Sequence, residues 1–256
     1  MAGQTMPRVA LVTGVGRREG IGAAIGRGLA KAGMTLCLTW WDEANSAGGG
    51  GEPFGEALAH ELVAEGHRVF ARPADLGAVS EPARLIAEFN DLAGEISVVV
   101  NNATVSEPAG IDDMTVESLD RHLAVNVRGM ALLTQAYVRQ FRSGEGGRIV
   151  NLTSGQSLGP MPDELAYAAS KGAVEAFTTS LSPALMARGI TINAVNPGPT
   201  DNGWMSEEVR RLLLSRAPSG RLSVPEDAAR LVAFLASPEA GWITGQIIHS
   251  EGGFLR

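Results

Sequence analysis

The stretch TGVGRREGIG (residues 13–22) joins a predicted β-strand, RVALVTG (8–14), to a helical pattern that begins near residue 20. Glycine lets the backbone turn tightly and approach a ligand closely. The unpaired N–H groups and positive dipole end of the helix favour a pyrophosphate. At the first strand–helix junction of an α/β chain, this pattern predicts a nucleotide-binding loop, with a ligand-free glycine turn as the alternative. No Gly-Lys-Ser/Thr sequence follows, so it is not a Walker A loop.

Short apolar runs alternate along the chain with longer helical patterns. Strands are predicted at 8–14, 34–40, 67–75, 96–103, 147–154, 190–198 and 245–253, and helices near 20–32, 53–66, 80–93, 114–142, 164–188 and 225–236. Several strands are apolar at consecutive positions, as expected when helices cover both faces of a sheet. The alternation predicts an α/β fold, a single doubly wound Rossmann domain over 1–256 with a seven-stranded parallel sheet.

Charge and composition exclude several classes of partner. The net charge is −7, and the two adjacent arginine pairs, Arg17–Arg18 and Arg210–Arg211, do not form a nucleic-acid footprint. No apolar run approaches the roughly 20 residues that span a bilayer, and the N-terminus lacks the apolar core of a signal peptide. The single cysteine, Cys37, is predicted to fill the core. We therefore expect a cytoplasmic protein.

The four histidines (60, 67, 122, 249) are scattered, so no metal site is predicted.

The end of the second strand, TWWDE (39–43), indicates the type of dinucleotide. Folds that prefer NAD place an acid there to hold the ribose 2′-OH. Here Trp40 or Trp41 occupies that place, and Asp42 follows slightly later. Arg17 and Arg18 in the first loop could pair with a 2′-phosphate, unless they are simply solvated. The pattern favours NADP(H) over NAD(H).

The segment AYAASK (166–171) contains Lys171, one of only two lysines among 21 basic residues. In a helix, Tyr167 and Lys171 share one face. A neighbouring ammonium is expected to lower the tyrosine pKa from its usual value of about 10, so that the hydroxyl can exchange a proton with a carbonyl oxygen. An incidental surface pair is the alternative. Against it, Lys171 and Glu175 are the only charged residues from 165 to 187.

Ser154 ends the predicted strand GRIVNLTS (147–154). Ligands of parallel sheets lie at the carboxyl ends of the strands, so this hydroxyl is expected to hydrogen-bond a reacting oxygen. A simple turn serine is the alternative.

Six features together resemble the short-chain dehydrogenase/reductase family over essentially the whole chain. They are TGVGRREGIG (13–22), NNA (101–103), Asn126, Ser154, YAASK (167–171) and NPGPT (196–200). Within the family, the chain is most similar to 3-oxoacyl-(acyl-carrier-protein) reductase-like members. The resemblance implies an NADP(H)-dependent oxidoreductase that reduces a 3-oxoacyl thioester or similar ketone.

The resemblance also implies roles for individual residues. Tyr167 would be the general acid/base, Ser154 would polarise the carbonyl, and Lys171 would lower the tyrosine pKa and bind the nicotinamide ribose. Asn126 would hold a water that links Lys171 to solvent. Cofactor contacts are implied for Gly14, Arg17, Arg18, Gly20, Ile21, Gly22, Trp41, Asp75, Leu76, Asn102, Ala103, Tyr167, Lys171, Pro197, Gly198 and Thr200. Of these, Asp75 and Leu76 would contact adenine, and Thr200 the carboxamide.

Some residues depart from the family pattern. Five residues, VGRRE, separate TG from GIG where three are usual, and Thr104 replaces a glycine after NNA. HSEGG (249–253) stands where a VDGG-like ending is common. Pro183 should kink or shorten the helix that carries Tyr167.

The sequence also offers two alternative functions. GQSLG (155–159) fits the nucleophile elbow of a serine hydrolase with Ser157 as nucleophile, but Pro160 and Pro162 oppose the helix that an elbow requires. A non-catalytic nucleotide-binding module would not need the Ser/Tyr/Lys set. Enoyl reductases of related fold tend to have a longer Tyr-to-Lys interval, so the four-residue step favours carbonyl reduction.

Two segments bear on substrate and assembly. Residues 201–220 are predicted to form an amphipathic lid, with Trp204, Met205 and Leu212–Leu214 available to cover an apolar substrate, or else a helix that simply packs on the domain. The charge-poor helix at 165–187, with helix 114–142, predicts a homo-oligomer, a tetramer or a dimer. SAGGGGEP (46–53) is predicted to be a mobile surface loop.

Overall fold

Seven parallel strands form one sheet in the computed structural model, which describes residues 7–41 and 53–255. The strands are β1 (Val9–Thr13), β2 (Thr35–Trp40), β3 (Val69–Pro73), β4 (Ile96–Asn101), β5 (Gly147–Leu152), β6 (Ile190–Asn196) and β7 (Ile247–His249). Their order is β3-β2-β1-β4-β5-β6-β7. The chain builds outward from β1 to β3 and then returns to the other side of β1, so a crevice opens at the carboxyl ends of β1 and β4.

Helices cover both faces of the sheet, which confirms the predicted doubly wound fold. They are α1 (Ile21–Lys31), α2 (Phe54–Ala64), α3 (Glu81–Ala93), α4 (Val116–His122), α5 (Met130–Gln140), α6 (Leu165–Met186), α7 (Glu207–Ser215) and α8 (Pro225–Ala236). Alternate residues of a strand point to opposite faces. Accordingly, Val12 packs in the core under α1 and α8, whereas Leu11 packs in the core under α3, α5 and α6.

The lone cysteine, Cys37, lies fully buried in β2, as predicted. Its burial raises the pKa of the thiol to about 12. Among the helices of the described residues, none combines the length and apolar character needed to cross a membrane.

The single helix predicted at 114–142 is interrupted by a π-helical segment, Leu123–Gly129, between α4 and α5. Gly129, the last residue of this segment, lies close to the loop after β3, because a Cβ there would lie 2.4 Å from the carbonyl oxygen of Leu76. The helix therefore passes directly over the loop after β3. π-Helical turns often mark functional sites, and this one carries Asn126, which is buried.

Helix α6 continues past Pro183 to Met186 instead of ending at the proline. Proline has no N–H to donate to the carbonyl one turn earlier. That carbonyl belongs to Thr179, and it accepts a hydrogen bond of 2.9 Å from the hydroxyl of Ser182 instead. A local substitute donor thus lets the helix tolerate the proline.

The last strand is shorter than predicted, since β7 covers three residues rather than 245–253. Gly245, Gly252 and Gly253 all have positive φ, so the backbone leaves extended geometry on both sides of β7. The predicted loop at 46–53 lies, apart from Pro53, outside the described residues, and so does Asp42.

We expect Gly129→Ala to lower the free energy of unfolding by about 1–3 kcal/mol, because the new methyl group would overpack against the backbone of Leu76. Gly172→Ala in α6 is the matched control, since its Cβ meets nothing within 4 Å. It should stabilise the helix by about 0.5–1 kcal/mol. Urea unfolding of both variants checks the pair, and equal effects would contradict the assigned contact.

Candidate active site

Four of the motifs singled out in the sequence meet at one edge of the sheet. Gly14 follows β1, Asn102 follows β4, Ser154 follows β5, and Pro197 follows β6. Because all the strands are parallel, these four carboxyl ends border the same crevice. Residues that are far apart in the sequence are thereby placed around one ligand-sized space.

In the loop after β1, two glycines let the backbone lie closer to neighbouring backbone than a side chain would allow. Gly14 has a φ of +75°, and a Cβ on it would lie 2.6 Å from the Cα of Ala103. A Cβ on Gly22 would lie 2.8 Å from the carbonyl oxygen of Gly14. Helix α1 begins after Gly20 with no side-chain cap and no acidic residue in its first turn. The electropositive start of α1, which includes Ile21 and Gly22, can therefore accept an anion.

Asn102 joins the first loop to the end of β4, and its predicted cofactor contact stays a prediction. Its Nδ2 donates to the carbonyl oxygens of Thr13 (2.9 Å) and Gly14 (3.1 Å). The hydroxyl of Thr13 accepts the N–H groups of Asn102 and Ala103, both at 3.0 Å. These bonds tie the first loop to the end of β4. Thr13 was not predicted as a site residue, and only its position at the end of a strand could have indicated it.

The two loop arginines differ in their surroundings. Arg18 lies 3.6 Å from a carboxylate oxygen of Glu61, and its guanidinium stacks 5.4 Å from the ring centre of Phe54. The Arg17 side chain is exposed and makes no ion pair within the described part of the chain. Arg17 is thus the freer of the two to meet a 2′-phosphate.

The two tryptophans that end β2 also differ. Trp40 is buried, and its ring occupies the space where a Cβ of Gly55 would lie. Trp41 is half exposed, and its carbonyl oxygen lies 4.0 Å from a Cβ placed on Gly16. Trp41 is accordingly the residue at the end of β2 that borders the first loop.

Other residues predicted to contact the cofactor lie on loops that are stabilised by hydrogen bonds within the loop. Asp75 accepts the N–H of Gly77 at 2.8 Å, and Leu76 beside it is buried. Gly198 has a φ of +68° and donates its N–H to Asn196 at 2.9 Å. Thr200 is buried after Pro197.

Lys171 and Tyr167 share one face of α6, as the spacing predicts. The lysine Nζ lies 5.5 Å from the centre of the tyrosine ring. Nζ also donates to the carbonyl oxygen of Leu152, at 2.8 Å. The lysine side chain is buried, and burial lowers its pKa to about 8 because an ammonium loses its hydration there.

The predicted lowering of the Tyr167 pKa is wrong for the protein alone. Burial raises the pKa of this phenol to about 12, because removal from water disfavours the phenolate. A side-chain hydrogen bond with Ser154 lowers it, and the charge of Glu164 raises it. The phenol therefore stays protonated at neutral pH, with the hydroxyl of Ser154 beside it.

The loop that carries Ser154 is fastened to α6 through Glu175. One carboxylate oxygen of Glu175 accepts the hydroxyl of Thr153 at 3.1 Å and that of Ser157 at 3.4 Å. Residues 155–158 form a turn, and the next helix begins only at Leu165. The strand–turn–helix of a nucleophile elbow is therefore absent around Ser157, within the part of the chain that the structure describes.

Asn126 uses its side chain to hold the loop after β4. Its Nδ2 donates to the carbonyl oxygen of Val105 (2.9 Å) and to Ser170 (3.0 Å), and its Oδ1 accepts the N–H of Val105 at 2.7 Å. The predicted water contact of Asn126 stays a prediction. Over residues 7–41 and 53–255, no group of three or more potential metal ligands lies together.

Known proteins resemble this chain over nearly its full length. The family model described as "Enoyl-(Acyl carrier protein) reductase" matches residues 14–255. The uncharacterized oxidoreductase YjdA of Bacillus subtilis is 45% identical over 97% of each chain. A short-chain dehydrogenase from Burkholderia cenocepacia, solved in complex with NADP, is 34% identical with a TM-score of 0.85, over 96% of this chain and 97% of that one. Another solved structure is that of LugOII, which is 33% identical with a TM-score of 0.83 over 96% of each chain. LugOII is described as a promiscuous reductase that catalyses keto-reduction at C1 during lugdunomycin biosynthesis.

We expect Lys171→Met to stabilise the protein at pH 7. The pKa of Lys171 falls from 10.5 unfolded to about 8 folded, which corresponds to a burial cost of roughly 3 kcal/mol below pH 8. Between pH 8 and 10.5 the unfolded chain binds more protons than the folded one at this site, so the cost fades as pH rises. The variant's advantage, about 1–3 kcal/mol at pH 7, should therefore shrink by pH 10.

Urea unfolding at pH 7 and pH 10 measures this difference. The control is Lys31→Met, at the chain's only other lysine, which is exposed at the end of α1. A Lys171→Met effect that is the same at both pH values would contradict the burial cost.

Proposed function

The chain belongs to the short-chain dehydrogenase/reductase family, and we propose that it is an NADP(H)-dependent reductase that converts a ketone to an alcohol. The observation that carries the proposal is the convergence of Ser154, just after β5, with Tyr167 of α6, while the ammonium of Lys171 lies 5.5 Å from the centre of the same tyrosine ring. A proton donor, a hydrogen-bond donor and a positive charge thus meet at the edge of the crevice. That set is what the reduction of a carbonyl requires.

The first loop fits a dinucleotide. Gly14 and Gly22 let the loop pack tightly against Ala103 and against itself, and the start of α1 is uncapped, so its free N–H groups can bind a pyrophosphate. Arg17 and Arg18 would hold the 2′-phosphate beside Trp41. Its Burkholderia cenocepacia relative, solved with NADP, supports the same cofactor here. When bound, NADPH supplies the hydride.

The protein's own groups would handle the proton. Ser154 donates a hydrogen bond to the carbonyl oxygen of the substrate, and Tyr167 gives its phenolic proton to that oxygen as the carbonyl carbon is reduced. A pKa near 12 keeps Tyr167 protonated, so it is ready to act as the acid. The ammonium of Lys171, held by the carbonyl of Leu152, stabilises the phenolate that remains.

The segment 201–220 would set the substrate. Helix α7 within it has no buried residue, and Leu212, Leu214 and Trp204 are exposed. Such an apolar, loosely packed lid suits a bulky substrate, such as a 3-oxoacyl thioester or a polyketide-like ketone. The keto-reduction described for LugOII supports this class.

The description of the matching family model names an enoyl reductase, so reduction of a carbon–carbon double bond is the reaction that competes with ketone reduction. The four-residue step from Tyr167 to Lys171 favours carbonyl reduction. Oxidation of NADPH followed with acetoacetyl and crotonyl thioesters, cyclic ketones and sugars distinguishes them. Turnover of the crotonyl thioester alone would overturn the ketoreductase proposal.

We also propose that the chain assembles as a homo-oligomer, a tetramer or a dimer, through α6. This helix presents a surface of small, uncharged residues that pack closely against a second copy. The exposed residues are Ala169, Ala176, Thr179, Ser180, Pro183 and Ala184. In this proposal the whole chain is one catalytic domain.

We expect Tyr167→Phe to reduce kcat by at least about a thousandfold, because the proton donor is lost. NADPH affinity should stay within about twofold, since the ring remains. Tyr137→Phe is the matched control at the only other tyrosine, whose hydroxyl donates to the carbonyl of Ser97 in the core. It should cost about 1 kcal/mol of stability and leave kcat unchanged. Retained turnover in Tyr167→Phe would refute the assigned role.

Arg17→Ser should raise the KM for NADPH by about tenfold, through the loss of a charge-assisted bond to the 2′-phosphate, with little effect on NADH. Arg18→Ser should have a smaller effect, because Arg18 already pairs with Glu61. Steady-state kinetics with both cofactors measures the change in preference. A wild-type enzyme that strongly prefers NADH would overturn the assignment of NADP(H).

A further inference from the structure

A buried histidine contacts the ring of Tyr167 from outside α6. His122, the last residue of α4, has no solvent exposure. Its ring lies edge-on to that of Tyr167, with the centroids 6.5 Å apart and the planes at 75°. The phenol ring is thus bounded by the ammonium of Lys171 and by the imidazole of His122.

Both ring nitrogens of His122 are hydrogen-bonded to backbone. The N–H of Glu107 lies 3.2 Å from Nε2, and the carbonyl oxygen of Ser118 lies 2.7 Å from Nδ1. A backbone N–H can only donate, so Nε2 must be the acceptor. Nδ1 then carries the hydrogen that Ser118 accepts, and the imidazole is neutral with one defined tautomer.

The histidine also fixes the loop that leaves β4. Besides its backbone bond to His122, Glu107 accepts the hydroxyl of Ser118 at 3.2 Å and pairs with Arg121. Two residues later, the carbonyl oxygen of Ala109 accepts the N–H of Leu165 at 3.1 Å, at the start of α6. The loop is therefore joined to the helix of Tyr167 twice, once through the backbone and once through His122.

We propose that His122 is a positioning residue for the reaction proposed above, on which this inference rests. Its neutral imidazole holds the Tyr167 ring and the backbone at Glu107 at a fixed separation. That separation sets where the substrate's carbonyl oxygen can meet the tyrosine hydroxyl. His122 itself touches neither substrate nor cofactor. Small displacements of such groups lower turnover strongly.

Two variants of His122 distinguish its contact with the Tyr167 ring from its hydrogen bond with the Glu107 N–H. His122→Phe keeps an aromatic edge against Tyr167 but leaves the Glu107 N–H without its acceptor, so KM for the ketone should rise by about tenfold. His122→Gln can accept that N–H but has no ring, so kcat should fall by about tenfold. NADPH affinity should change less than about twofold in both. His67→Gln is the control, since His67 pairs with Glu65 at the start of β3, at the opposite edge of the sheet.

Nitrogen-15 NMR of the histidine rings at pH 7.5 tests the tautomer without relying on turnover. The His122 signal, identified by its loss in His122→Gln, should show a neutral ring protonated at Nδ1. A charged ring paired with the nearby carboxylate of Glu164, a ring protonated at Nε2, or an average of tautomers would overturn the proposal. So would variants that keep kcat and KM within twofold of the wild type. Because the NMR result is independent of catalysis, it separates failure of this inference from failure of the reductase proposal.

Discussion

The burial of the Lys171 ammonium is the constraint around which the proposed active site is arranged. A charged group without water is costly unless it is paired or hydrogen-bonded. The carbonyl oxygen of Leu152, at 2.8 Å, supplies that bond, and it is the last carbonyl of β5. Since Ser154 follows two residues later, the same contact fixes α6 relative to β5 and brings Ser154 to Tyr167. Together with the hydrogen bond from Thr153 to Glu175, it sets the register of all three groups.

The sequence was sufficient for features that depend on local periodicity. Four residues along a helix return to the same face, so Tyr167 and Lys171 had to be neighbours. Parallel strands end at one edge, so Gly14 and Ser154 had to border the same crevice. The seven strands followed from short apolar runs that alternate with helical patterns. Strand ends were less accurate, as β7 shows, because the glycines around it leave extended geometry only in the folded backbone.

Features that depend on contacts between distant segments were not accessible in this way. The π-helical turn at 123–129 reflects the close passage of Gly129 over Leu76. The high pKa of Tyr167 reflects its burial, which the spacing of Tyr167 and Lys171 does not reveal. His122 looked like any scattered histidine, yet its ring lies against the Tyr167 ring. In each case a tertiary contact, rather than a residue type, assigns the role.

The burial of Cys37 in β2 makes its thiol a probe of local unfolding of the sheet. The thiol has no solvent exposure and a pKa raised to about 12, so it is shielded from reagents that attack thiolates. It is also the only thiol in the chain. Alkylation of Cys37 must therefore pass through a state in which the strands around β2 have separated. The rate of Cys37 alkylation therefore measures how often these strands separate.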